Sequence, residues 1–243
     1  MRAVTVATVL VAALAPCARA QTAPAASPWK AQIDLGYVQA TGNTRLRTLH
    51  LADQVVYAVA PWKFTQTFEI VSAADSAHET ANNLKAGVRG DYAFGSRVAA
   101  YAYGTYERDR FAGIARRTNE QAGLSLSALA APRDTLAVEA GAGLIQQRGT
   151  DSVATSQNYG STRLAARLRH TFKPDTYAEV RGEVLNDLSD AANTQVNADG
   201  ALVAPLSRHV ALKFDYAVRY RHEPEPGFRT TDTITSAGLQ IAF

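Results

Sequence analysis

The chain has 243 residues, with 25 lysines and arginines against 22 aspartates and glutamates, five histidines and a single cysteine. Acids match the basic residues along the chain rather than leaving them in a patch, which argues against a nucleic-acid partner, and one cysteine excludes an internal disulfide framework or a thiolate metal centre. A hydrophobic content of 47% still admits a membrane protein, because a β-barrel needs apolar residues on only one face of each strand.

The first segment in chain order is a leader. Met1 and Arg2 precede an apolar run over residues 4–14, and Ala18, Arg19 and Ala20 present small residues at the two positions a signal peptidase reads, so residues 1–20 are expected to be cleaved before Gln21. The run is shorter than the ~20 residues of a spanning helix. Cys17 follows Leu14, Ala15 and Pro16 in a loose lipoprotein-like box, but proline immediately before the cysteine disfavours lipidation, and ordinary cleavage is expected. Loss of Arg2 and Arg19 leaves 23 basic against 22 acidic residues. Residues 21–28 read as a short periplasmic lead, and no Pro/Gly/Ser-rich linker divides residues 29–243, which read as one domain.

Residues 29–40 set Trp29, Ala31, Ile33, Leu35 and Tyr37 against Lys30, Gln32, Asp34 and Gly36, and a turn follows at Thr41, Gly42, Asn43 and Thr44. A period of two is a strand's, not a helix's. Residues 45–60 gather Leu49, Leu51, Val55, Tyr57 and Val59 on one face, but Asp53 shares it. A carboxylate facing lipid near mid-membrane is costly, so a β-bulge that turns Asp53 inward is expected. After Pro61, residues 62–73 oppose Trp62, Phe64, Phe68 and Ile70 to Lys63, Thr65, Thr67 and Glu69. Residues 81–94 oppose Leu84, Ala86, Val88 and Tyr92 to Asn83, Lys85, Arg89 and Asp91, ahead of a turn at Gly95 and Ser96. Residues 98–111 carry Tyr101 and Tyr103 on one face, and residues 118–130 alternate Ala122, Leu124, Leu126 and Ala128 with Gln121, Gly123, Ser125 and Ser127.

The second half repeats the pattern. Residues 135–147 set Leu136, Val138, Ala140, Ala142 and Leu144 against Glu139, Gly141 and Gly143; residues 157–170 set Thr162, Leu164, Ala166 and Leu168 against Ser161, Arg163, Arg167 and Arg169. Residues 176–188 oppose Ala178, Val180 and Val184 to Glu179, Arg181 and Glu183, and residues 194–204 oppose Val196, Ala198 and Leu202 to Gln195, Asn197 and Asp199. Residues 209–221 carry Val210, Leu212, Phe214, Tyr216, Val218 and Tyr220 against Lys213, Asp215, Arg219 and Arg221. The final segment, 231–243, ends in Leu239, Ile241 and Phe243 on one face, the form of a C-terminal assembly signal read by a barrel-assembly machinery.

Twelve segments are an even number, which puts both chain ends on one side of a membrane. Connections after even-numbered segments are short, and those after odd-numbered ones are mostly longer and more polar, with residues 41–44 the exception. Short periplasmic turns and longer outer loops produce that alternation, whereas the strands of a soluble sandwich are usually ~5–6 residues long and their loops do not alternate. The expected fold is therefore all-β: a transmembrane, antiparallel, up-and-down barrel of about twelve strands in the outer membrane of a Gram-negative bacterium.

Gly36 and Tyr37, the Thr41-Gly42-Asn43-Thr44 turn, Tyr103-Gly104 with Tyr106, Asp109-Arg110-Phe111, and Asp232-Thr233 leading to the terminal Phe243 together resemble the YdiY-like salt-induced outer-membrane proteins. The resemblance spans essentially the whole chain after the leader. It implies an outer-membrane barrel, with no activity attached.

The inward face concentrates charge. Arg163, Arg167, Arg169, Arg181, Lys213, Arg219 and Arg221 are the candidate lumen cations, and Glu139, Glu179, Glu183, Asp199 and Asp215 stand on neighbouring segments. Paired, these charges fill a narrow lumen and select nothing, and the resemblance then implies an envelope barrel related to osmotic stress; unpaired, a basic ladder favours small anionic solutes in a passive channel. An outer-loop protease or lipid hydrolase is the remaining alternative, and His78 and His222 lie near Asp75, Glu79, Glu223 and Glu225. These histidines sit in no catalytic motif and form no set of three or four metal ligands, so no enzyme, cofactor or metal is expected. The expected partners are outer-membrane lipid, the assembly machinery and small anions.

Overall fold

The computed structural model describes residues 27–41, 46–75, 78–150, 156–224 and 227–243. The leader, Cys17, most of the lead, and Gly42, Asn43 and Thr44 of the turn lie outside the described residues, as does the side chain of His78; Thr41 closes the first strand. The strands are β1 (Trp29–Thr41), β2 (Leu46–Val59), β3 (Trp62–Asp75), β4 (His78–Ala93), β5 (Val98–Asp109), β6 (Ile114–Ala130), β7 (Asp134–Gly149), β8 (Ser156–Lys173), β9 (Thr176–Asp187), β10 (Thr194–Pro205), β11 (Val210–Arg221) and β12 (Thr231–Ala242). Each pairs antiparallel with its sequence neighbours, and β12 pairs back onto β1, closing the barrel.

The two-residue alternation decides which side chains face out. One cross-strand row reads Leu35, Leu239, Leu212 across β1, β12 and β11, and all three are exposed. Val88, Leu124, Leu164 and Val180 are likewise 57–64% exposed. So continuous an apolar band is untenable in water, and it matches the outward belt of a membrane barrel. At the short-turn end the belt is edged by aromatic pairs: Trp29 on Tyr57 at 4.5 Å, and Trp62 on Tyr92 at 4.9 Å. Such girdles occupy the interface between hydrocarbon and water.

Three details depart from expectation. No register shift occurs along β2, so Asp53 is not turned inward by a bulge; it stays opposite Ile33 and Phe68 on the outward face. There Gln66, also outward, donates from Nε2 to Asp53 Oδ1 at 2.9 Å, which gives the carboxylate a partner. The expected loop over residues 112–117 is mostly strand: a single 3-10 turn, Arg110–Ala112, precedes β6. Likewise strand continues through Asp75 and resumes at His78, where residues 75–80 read as a loop. At the β8–β9 turn Asp175 adopts φ +62° after Pro174, a left-handed position that aspartate tolerates better than most residues.

Closure depends on two facing glycines. Gly36 of β1 opposes Gly238 of β12, and Gly238 in turn opposes Lys213 of β11. A β-carbon at Gly238 would fall onto Gly36 Cα and the Leu35 carbonyl. With no side chain there, Lys213 reaches over β12 to Asp34 of β1 at 2.6 Å, and Gln240 donates to the same carboxylate at 3.1 Å. The charge pair thus spans the strand that closes the barrel. Gly238→Val should cost about 1–3 kcal/mol through overpacking and lower the fraction migrating as heat-modifiable folded barrel, whereas Gly95→Ala, with nothing within 4 Å of the added carbon, should leave it unchanged.

Candidate functional site: the charged lumen

A second glycine row organises the interior. Tyr101 of β5, Gly123 of β6, Gly141 of β7 and Arg163 of β8 stand in register. Two missing side chains let the Tyr101 ring lie across β6 and β7, where it is 3% exposed, and Arg163 Nη1 donates to its hydroxyl at 3.1 Å. A β-carbon at Gly123 would come within 2.8 Å of that hydroxyl. Above the ring sits Arg89, its guanidinium carbon 4.4 Å from the centroid, a cation–π arrangement.

Around this platform the charges close into one network. Arg89 donates to Glu139 through Nη2 at 2.7 Å and Nη1 at 3.1 Å, and to Asp91 at 2.7 Å. Arg163 donates to Glu139 Oε2, the oxygen that Arg89 Nη1 also reaches, at 2.6 Å and to Glu183 at 2.6 Å, and Asn197 donates to Glu183 at 3.0 Å. Glu139 is therefore held by two arginines, from β4 and from β8. Charge-assisted, two-pronged bonds of this kind are the stronger class.

The other sequence candidates fall into smaller groups. Glu179 takes Arg181 at 2.5 Å and Arg169 at 3.2 Å; Arg219 takes Asp199 at 2.6 Å; Lys213 adds Asp215 at 3.3 Å to its seam contact. Arg221 donates to the Ala112 carbonyl at 3.4 Å. Arg167 differs, since it makes no ion pair or hydrogen bond among the described residues, and its register partner on β9 is Arg181, a like charge. Leu239 and Ile241 lie on the outward side at the end of β12, and Phe243, which follows it, exchanges backbone hydrogen bonds with Ala31 at 2.9 and 3.2 Å.

Among the described residues, two polar cavities of 430 and 480 Å³ lie in the lumen. The first is lined by Lys63, Lys85, Arg89, Arg163, Arg167, Arg181 and Arg219 against Asp91, Glu139, Glu183 and Asp199. Lys63, one residue into β3 from the short turns, forms its edge with its side chain 49% exposed, so this cavity opens toward the short-turn end. Gln54, Lys85, Arg167, Arg181, Asp199 and Arg219 line both cavities and form their junction. Arg181 and Arg219 are paired there, but Lys85 joins Arg167 in having no ion pair among the described residues. Glu69 and Glu107 flank Lys85 in register, yet His50 approaches Glu69 at 3.2 Å and Arg117 holds Glu107 at 3.3 Å.

The long-loop end is packed. A bulge near the start of β6 turns Ile114 inward, where it is fully buried, beside Ala112 at 4% exposure. Gly113, at φ +72°, lies under the Phe228 ring, which a β-carbon would strike at 2.6 Å. Phe228 belongs to the connection between β11 and β12, and Arg221 of β11 reaches Ala112 from the same side, so the β5–β6 connection spans the mouth to the opposite wall. Beneath it Ile145, Tyr159 and Leu185 form a buried cluster, and Gln195 donates to the Tyr159 hydroxyl at 2.8 Å. Arg117 bonds the Gln147 carbonyl oxygen in the same layer.

Sequence reasoning left Lys85, Arg89, Asp34 and Arg117 out of the candidate set, although the first three sit at inward positions of their segments; Arg117 fell in the expected loop, and Tyr101 and Tyr103 together with Gly123 and Gly141 were the available signal for the platform. Of the histidines, His222 bonds Tyr220 at 3.1 Å and His170 meets Asp134 at 2.7 Å near the short turns.

The profile of the protein family of unknown function DUF481 matches residues 33–243, and the chain belongs to that family. Among solved structures, the NanC porin is similar at 10% identity, covering 86% of this chain and 98% of its own, with a TM-score of 0.59. The translocator domain of the autotransporter NalP from Neisseria meningitidis is similar at 11% identity, covering 90% of each chain, with a TM-score of 0.51. At such identities the likeness concerns the fold, a closed antiparallel barrel of the outer-membrane type. No curated protein matches the chain.

Arg163→Ala should destabilise the barrel by about 3–5 kcal/mol, the cost of leaving buried carboxylates without their partner, read as the midpoint of urea unfolding in lipid vesicles. Arg181→Ala, whose side chain is 51% exposed, should shift that midpoint far less.

Proposed function

We propose that this DUF481 protein is a non-enzymatic barrel of a Gram-negative outer membrane, exported through a cleaved leader, with its short turns in the periplasm and a charged lumen closed at the outer mouth. The observation that carries this reading is the β5–β6 connection lodged across the long-loop end, where Ile114 is fully buried and Gly113 meets Phe228. The resemblance to salt-induced outer-membrane proteins supports a role under osmotic stress. A closed barrel suits that role because it adds wall to the envelope without adding a leak. Outer-membrane lipid around the apolar belt, and an assembly machinery reading Leu239, Ile241 and Phe243, are the partners of this reading.

A second reading is favoured by one observation. Among the described residues Lys85 and Arg167 have no ion pair, and they stand at the junction of the two cavities; unpaired cations in a lumen attract small anions. In this reading anions enter from the periplasmic side and pass outward only when the mouth opens.

Planar-bilayer recording of the refolded protein tests both. The unaltered barrel should insert with few or no conductance steps, and Phe228→Ala combined with Arg221→Met should open steps that prefer anions in a salt gradient. Adding Lys85→Ala and Arg167→Ala should then bring the anion-to-cation permeability ratio close to one. Large steady steps from the unaltered protein would overturn the closed-mouth reading, and an unchanged ratio in the last variant would overturn the anion path.

A further inference from the structure

Three arginines stand on the outside of the barrel, not within it, at the long-loop end of adjacent strands. Arg116 of β6 is the direct register partner of Arg148 of β7, and Arg108 of β5, paired with Leu84 of β4, lies beside the β6 bulge. All three share the parity of the outward, exposed Tyr106 and Leu144, and Arg116 and Arg148 are themselves exposed. Like charges directly opposite each other in a sheet repel. Nothing among the described residues relieves them: Glu107 is turned inward to Arg117, and Asp109 accepts from the Ala112 amide at 3.2 Å. The outward carboxylate in register below is Glu120, four residues from Arg116 and opposite Leu144.

The surroundings state what the missing counter-charge looks like. Below the arginines lies an outward polar row, Thr118, Gln146 and Asn158 in register, and toward the barrel's middle come Leu144, Leu164 and Val88 of the lipid belt. A ligand here meets guanidinium groups first, then hydroxyl and amide groups, then hydrocarbon. We propose that Arg108, Arg116 and Arg148 bind the phosphate groups of an outer-leaflet phosphorylated glycolipid of the lipid A class. Guanidinium forks match phosphate oxygens in pairs, one phosphate between Arg116 and Arg148 removes their repulsion, and Gln146 and Asn158 face the sugar hydroxyls. The lipid's acyl chains continue down the belt.

The proposal rests on the orientation given above, with the long loops outward, and the test separates the two. Native mass spectrometry of the full barrel in detergent, titrated with diphosphorylated lipid A, reads binding without regard to orientation; labelling of Ser189→Cys in intact cells by a membrane-impermeant thiol reagent reads orientation alone. The unaltered barrel should retain one lipid A, and phosphate-free lipid A should bind at least tenfold more weakly. The triple variant Arg108→Gln, Arg116→Gln, Arg148→Gln should lose tenfold or more, with heat-modifiable migration confirming its fold. Should it fail to fold, Arg148→Gln alone is expected to lose at least threefold, while Arg133→Gln and Arg208→Gln, at the short-turn end, should lose nothing. Equal binding by the arginine variants and the unaltered protein would overturn the site. Displacement of lipid A by equimolar inorganic phosphate would overturn the lipid as its ligand in favour of a free anion.

Discussion

The charged interior of this barrel depends on one constraint: taking an ion out of water without a partner costs several kcal/mol, and the most buried of its charges, Arg163, Glu139 and Asp34, find their partners on other strands. Neighbouring strands are only ~4.8 Å apart, so side chains on intervening strands would block any longer reach. Glycine removes the block. Gly238 lets Lys213 cross β12 to Asp34, and Gly123 with Gly141 lets Tyr101 cross two strands to Arg163. The glycines are therefore part of the electrostatics as much as of the backbone. Strand register, fixed by the outward apolar face, places each one under the side chain that needs the space.

This lashing divides the lumen into two unequal halves. Toward the long loops, Ile114, Ile145, Tyr159 and Leu185 are buried and the interior behaves as a packed core. Toward the short turns the walls separate into two polar cavities whose shared lining carries Lys85 and Arg167. A barrel of uniform wall thus has a stopper at one end and a charged chamber at the other. Gly113, where the β5–β6 connection meets Phe228, takes a left-handed backbone that side-chain-bearing residues rarely adopt.

The strands were legible because the wall is read two residues at a time, and in each strand that repeat runs for 12–18 residues. Long strands of one alternating pattern leave few competing folds. Asp53 was misjudged because its relief comes from Gln66, the one polar residue interrupting Trp62, Phe64, Phe68 and Ile70 on the next strand; that gap was visible in the sequence, but the diagonal contact across strands was not. The lumen partners were hidden for a related reason. Asp34 and Lys213 are 179 positions apart, and Arg89 meets Glu139 three strands away, distances over which charge order along a chain says nothing about pairing. The inward turn of Ile114 needs a bulge, and a bulge changes no residue type that a pattern could register.

The central claim is that the chamber communicates with the short-turn side and is sealed from the other. The most direct measurement is the reactivity of a single cysteine at Gln54→Cys, which lines both cavities, toward a charged, membrane-impermeant thiol reagent added to one face of oriented vesicles. The account predicts rapid modification from the short-turn face and at least tenfold slower modification from the long-loop face. Equal rates from both faces would mean that the β5–β6 connection does not seal the mouth, and the account would fail.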